Sequence, residues 1–187
     1  MADNLKPHVR ILFDWEKDQI APIFLGTLNV AIVRVCEGYT WPDFANRMGR
    51  FVRRQPPPGT GEHNSITLGN HCYFPVLVQE HVPPEGDWDI SNMEWLVHEL
   101  THAWQYQHIG SRYLFRALWA QFRLKDAAYE YGGPDGLSAF RLKGGNLFSF
   151  NVEAQATIVE DYYWRTYHNQ DVSAYKSYIE DLQKTAS

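Results

Sequence analysis

The stretch WLVHELTHAWQ, residues 95–105, carries His98, Glu99 and His102 in the spacing H-E-x-x-H. On a helix, residues four apart lie one above the other on the same face, so both imidazoles can reach one metal ion. Glu99, next to the first of them, is placed to move a proton without binding the metal. The flanking residues predict that helix on their own account. Ser91 and Glu94 form an S-x-x-E capping box that starts it near Asn92, and Gly110 offers a left-handed stop. Met93, Leu96, Val97, Leu100, Ala103 and Trp104 recur at helical spacing as one apolar stripe. At roughly 100° per residue the two histidines fall almost opposite that stripe, on a second face with Trp95 and Tyr106. A helix with a core face and a separate histidine and aromatic face suits the floor of a cleft.

Upstream, the chain reads as short strands and loops. Residues 8–13 (HVRILF) alternate weakly as a strand, 18–25 predict a short helix weakened by Pro22, and 29–35 (NVAIVRV) predict a β-branched strand. Residues 40–54 have no clean period, and QPPPGTG at 55–61 is a loop by composition. Residues 65–74 form an extended segment interrupted at Gly69-Asn70 and ended by Pro75. Within it Ile66, Thr67, Leu68, Gly69 and Asn70 are candidates for an edge strand on which an extended peptide could pair its backbone. An ordinary edge strand without a ligand is the plainer alternative. A Pro/Gly linker at 82–89 leads into the histidine helix.

Downstream, Ser111 can cap a helix reaching residue 125, which 127–131 would extend, and Gly132-Gly133-Pro134 then breaks the chain. Residues 136–148 read as irregular. A helix follows over 151–167 with the stripe Val152, Ala156, Val159 and Tyr163, and Asp171 caps a last helix through Leu182. Strands first and helices after them predict an α+β fold, one domain over residues 1–187 with a helical C-terminal half.

A catalytic zinc takes three protein ligands and leaves a fourth position for water. His98 and His102 supply two. The sequence after His102, AWQYQHIGS, lacks the H-x-x-G-x-x-H extension of metzincins, and His108 would point elsewhere. A third ligand from a later helix is the remaining arrangement. Glu153 is the best candidate, in the first turn of its helix beside Ala154 and Ala156, which are small enough to permit close approach. An acidic residue is favourable there on dipole grounds alone, which is the structural explanation of the same residue. Glu160 is the rival ligand, roughly 10 Å further along the same face, so the two cannot bind one ion together. Asp161 lies off that face and is expected to brace a ligating imidazole through its distal N–H, leaving Glu160 with little effect on metal occupancy.

An HELTH helix followed by a glutamate on a later helix resembles the gluzincin branch of the zincin metallopeptidases. More narrowly, SITLGNHCYFP (65–75), HELTHAWQYQ (98–107) and NVEAQATIVEDYY (151–163) resemble metallopeptidase domains associated with Vgr spike proteins, effectors of the bacterial type VI secretion system. The resemblance implies a zincin-like fold, a small mixed sheet with an edge strand above the HExxH helix. It also implies one Zn2+ per chain held by His98, His102 and Glu153, with Glu99 as catalytic carboxylate. The partners it implies are a protein or peptide substrate, a secretion-machine component and an immunity protein. One position departs from the pattern: four residues after the ligand glutamate, where gluzincins such as thermolysin brace a zinc histidine with aspartate, this chain has Thr157.

The chemistry expected of such a site is hydrolysis of a peptide bond, with Glu99 as general base and then acid. Tyr131, Tyr162, Tyr163 and His168 are the candidates for a side-chain donor to the oxyanion, each with a plainer reading as a packing or surface residue. Net charge is −5 and no basic block occurs, which argues against nucleic acid. No run approaches the ~18 apolar residues of a membrane span. The start, MADNLKPHVR, lacks the apolar core of a signal peptide. Synthesis in the cytoplasm is therefore expected, and export into target cells would take a signal-independent route. Cys36 and Cys72 lack metal-ligand spacing and read as buried thiols, with a bridge between them unsupported. The reading is a zinc metallopeptidase of bacterial effector or toxin type. Its alternatives are a catalytically inactive zincin-fold module that binds zinc and a partner, and a helical interaction protein in which HELTH is coincidental.

Overall fold

The computed structural model describes residues 6–42, 63–78, 90–110 and 130–186. The loop expected at 55–61, the linker at 82–89, the helix expected from Ser111 and most of the segments at 40–54 and 127–131 lie outside the described residues.

Among the described residues, four short strands make one mixed sheet. β1 (His8–Arg10) pairs antiparallel with β2 (Arg34–Glu37), Val9 standing opposite Cys36. β2 runs parallel to β4 (His71–Phe74), with Val35 opposite Cys72. β3 (Ile66–Leu68) pairs antiparallel with β4, so the order is β1-β2-β4-β3 and β3 ends the sheet. The interruption expected at Gly69-Asn70 is the two-residue turn of the β3–β4 hairpin. Gly69 has φ +66°, which a residue without a Cβ adopts freely at such a turn.

Five α-helices accompany the sheet among the described residues: α1 (Asp14–Phe24), α2 (Ile90–Ile109), α3 (Gly133–Leu142), α4 (Val152–Tyr167) and α5 (Ser173–Gln183). In α2 the whole stripe Met93, Leu96, Val97, Leu100, Ala103 and Trp104 is buried. The indole of Trp104 donates to Thr27 Oγ1 at 2.9 Å, which satisfies its polar atom inside the core. Gly110, at φ +70°, ends the helix by donating its N–H to Tyr106 O at 2.8 Å. α2 packs on β3 and β4 on one side and on α4 on another, while α5 joins α1, α3 and α4. No helix among the described residues is long and apolar enough to cross a membrane.

α4 begins where its sequence says it should. The Asn151 side chain accepts from the N–H groups of Glu153 and Ala154 at 3.0 and 3.1 Å, and Val152, Ala156, Val159 and Tyr163 are buried. Asp171 accepts from Ser173 N at 2.8 Å just ahead of α5. Cys36 and Cys72 are free and buried.

Four local expectations are corrected. Residues 29–35 are not one strand: Asn29 accepts from Ala31 N and turns Val30–Ile32 into a 3-10 helix, so the strand runs from Arg34 to Glu37. α1 starts at Asp14 rather than residue 18, because Glu16 reaches back to accept from Phe13 N at 2.8 Å. Residues 136–148 are not irregular throughout: α3 runs into them as far as Leu142, and Leu147–Ser149 is a 3-10 turn. Gly132-Gly133-Pro134 starts α3, since proline in a first turn forgoes only an N–H that would be unpaired anyway. α2 reaches back to Ile90, ahead of the start expected near Asn92.

A buried ionic cluster locks β1, β2 and α1 together. The Arg10 guanidinium donates to both oxygens of Glu16, at 2.7 and 2.9 Å, and to both of Glu37 at 3.1 Å. Glu37 also accepts from Val78 N at 2.9 Å. Neither carboxylate has appreciable solvent contact, so removing the guanidinium takes the shared cation from two buried carboxylates, of which Glu37 keeps the His8 ring at 2.8 Å. Arg10→Met is expected to cost about 3–5 kcal/mol of stability, measured by urea denaturation.

Candidate metal centre

The residues that α2 turns away from the core meet the first two turns of α4. His98 and His102 lie one turn apart on α2, their rings edge to face with centroids 4.9 Å apart. Glu153 Oε2 lies 3.2 Å from His102 Nε2 and 3.6 Å from His98 Nε2. Taking one ligand atom from each residue, all three lie within 4.8 Å of one another, a candidate metal-binding triad. Two donors held ~2.1 Å from a tetrahedral ion stand about 3.4 Å apart. The observed spacings bracket that value.

The opposite nitrogen of each ring is held as well. His98 Nδ1 donates to Glu160 Oε2 at 2.9 Å, and His102 Nδ1 donates to Gln105 Oε1 at 2.8 Å. The amide of Gln105 cannot be turned round. Its Nε2 donates to Val152 O at 2.9 Å and to Gln155 Oε1 at 3.1 Å, and a carbonyl can only accept. Both rings therefore carry a proton on Nδ1, and Nε2, the nitrogen that faces Glu153, is the one that would bind a metal on giving up its own proton. Two imidazoles and a carboxylate form the donor set of a catalytic zinc site with one position left open, so these residues fit the ion the sequence implies.

Electrostatics agree with the geometry. Burial opposes a charge on His98, but hydrogen bonds to Glu153 and Glu160 and the fields of Glu160 and Glu99 outweigh it, leaving the imidazole pKa well above its ordinary value. His102 is also raised: burial opposes its charge and Glu153 overcomes that. Burial pushes the Glu153 carboxyl up, yet the two imidazoles hold it far below the usual carboxylate range.

Glu99, next to His98 in the chain, is buried. Its Oε1 accepts from Ser65 Oγ at 2.5 Å and its Oε2 from Thr67 Oγ1 at 2.6 Å. Among the edge-strand candidates, Thr67 thus faces α2, Ile66 and Leu68 alternate with it, and Gly69-Asn70 form the turn. Gln107 anchors that turn to α2 by donating to Asn70 Oδ1 at 2.8 Å.

Asp161 does not do what its sequence suggests. It accepts from the Tyr131 hydroxyl, which also contacts Tyr175 Oη at 2.6 Å, and the brace on His98 is Glu160. Thr157 returns its hydroxyl to Glu153 O at 3.1 Å and braces nothing. The oxyanion candidates have the following surroundings. Tyr131 is engaged with Asp161, and Tyr163 is packed in the core with its hydroxyl 3.5 Å from Gln19. Tyr162 packs against the same core. His168 caps α4 over Trp164, roughly 22 Å along the helix from Glu153 at ~1.5 Å per residue. Sequence reasoning missed Ser65, Gln105 and Gln155. The only local hint was Gln105, one turn beyond His102 on the same face.

No family model matches the chain, and no solved structure matches it. It is 30% identical over 110 residues to the type VI secretion system spike protein VgrG2b of Pseudomonas aeruginosa. The match takes in 57% of this chain and 10% of that protein, so the chain spans about a tenth of the relative's length.

Glu160→Ala is expected to weaken divalent-metal binding about 10- to 100-fold while Asp161→Ala leaves it nearly unchanged, ranked by titration against a competing chelator. In metal-free protein, the stability supplied by the raised pKa values of His98 and His102 is complete below the ordinary imidazole value of about 6.5. It is lost as the pH rises through the folded values. The Tm in chelator should therefore fall on going to alkaline pH, and added zinc should restore it most at that end, since fewer protons then compete.

Proposed function

We propose that this chain is a zinc-dependent peptidase of zincin-like architecture, carried into target cells by a type VI secretion machine. The observation that bears most weight is the approach of His98 Nε2 and His102 Nε2 to the Glu153 carboxylate, on the helix that also carries Glu99. The similarity to a secretion spike protein supports the route of delivery.

His98, His102 and Glu153 would hold the ion. When bound, zinc supplies a Lewis acid and lowers the pKa of a water to about 7. Glu160 and Gln105 hold a proton on Nδ1 of each ring, which leaves Nε2 as the nitrogen that would bind the ion. Glu99 takes the proton from the attacking water and hands it to the nitrogen of the leaving amine. An extended protein or peptide segment lies along the outer edge of β3, where strand pairing aligns its backbone without demanding a particular sequence.

Elemental analysis of the purified chain tests the first half: one zinc per chain is expected, lost in His98→Ala and His102→Ala. Glu99→Gln tests the second. It should keep metal and fold while cleavage of an unfolded protein substrate falls about 10²- to 10⁴-fold. Zinc-loaded wild-type protein that cleaves nothing would instead favour a module that binds zinc and a partner.

A further inference from the structure

We infer that Ser65 and Thr67 are positioning residues that clasp Glu99 from β3, so that one strand both presents the substrate edge and holds the proton-transferring carboxylate. This rests on the peptidase reading of Glu99. Ser65 and Thr67 are two apart, hence on the same side of an extended chain, and that side faces α2. Each hydroxyl has a single proton to give. Ser65 gives its proton to Oε1 at 2.5 Å and Thr67 to Oε2 at 2.6 Å, so each takes a different oxygen of the one carboxylate. Thr67 Oγ1 also lies 3.1 Å from Glu99 O, which seats the strand against the helix backbone as well as the side chain.

A carboxylate so buried needs donors, and these two fix its rotation without a formal charge that would compete with the metal ligands. A carboxylate accepts about four hydrogen bonds. Two hydroxyls therefore leave a lone pair on each oxygen for a water and for a leaving amine. Because the clasp and the pairing edge belong to the same few residues, the distance from a strand-bound substrate to Glu99 passes through no flexible link. Misplacing a catalytic group by an ångström can cost on the order of 10²-fold in rate.

The experiment combines kinetics with a stability cycle on the full zinc-loaded chain. Ser65→Ala/Thr67→Val should lower kcat on the order of 10²-fold with KM and zinc content unchanged. Thr67→Ser and Ser65→Thr, which keep the hydroxyl, should stay near wild type. In the stability cycle, Thr67→Val should lower Tm in the wild-type background and have little further effect in Glu99→Ala, since its partner is then gone. Active wild-type protein whose double variant keeps full kcat, or Tm losses that simply add, would overturn the clasp. Absence of any metal-dependent cleavage in wild type, Glu99→Gln and the double variant alike would overturn the peptidase reading and the clasp's role with it.

Discussion

Where α4 crosses α2, the buried carboxylates of Glu99 and Glu153 and two imidazoles are packed together, with the half-buried Glu160 at their margin. An unpaired charge in such a place costs several kcal/mol, so an interface of this kind forms only if each charge finds a partner in the right direction. Each does. Glu153 faces the two Nε2 atoms, Glu160 takes the Nδ1 proton of His98, and Glu99 takes two hydroxyl protons from β3. The requirement reaches outward from there. The hairpin must lie against α2 for Glu99 to be satisfied, and the start of α4 must stand level with His102 for Glu153 to be satisfied.

Several ordinary interactions hold that level. Asn151 caps α4 and sets which residue occupies its first turn. Ala154 and Ala156, both fully buried, let the two helices come close. Gln105 joins the orientation of the His102 ring to the carbonyl of Val152, and Gln155 continues the chain of amides to Phe150 O at 2.8 Å. A shift of α4 along its axis would break these bonds together, so the ligand geometry is tied to the helix start rather than to rotamer choice. Protons and a divalent cation are interchangeable compensators in this site. In the metal-free protein the positive charge comes from imidazolium, and a bound ion would take over that role while releasing the protons.

Much of the scaffold was legible because its signals are local. The α2 stripe, its Gly110 stop, the Asn151 start of α4, the turn at Gly69-Asn70 and the choice of Glu153 all follow from spacing within one element, or from one element's terminus. Local signals also misled. The β-branched run at 29–35 reads as a strand until the Asn29 side chain is seen to bond its own backbone. The glycines before Pro134 read as a break, although proline in a first turn favours a helix.

By itself the sequence determined that His98 and His102 share a face with Glu99 beside them, because a helix places residues four apart in register wherever it is packed. It also determined that a carboxylate would stand in the first turn of a later helix. Tertiary structure alone decided which groups orient the imidazoles. Glu160 and Asp161 are adjacent in the chain, and only the rotation of α4 about its axis, roughly 100° per residue, selects Glu160 for His98 and turns Asp161 toward Tyr131. The same holds for Ser65 and Thr67, which have no sequence signal as partners of Glu99. Their hydroxyls come from a hairpin far away along the chain, and the contact exists only because the sheet and α2 bury the same core.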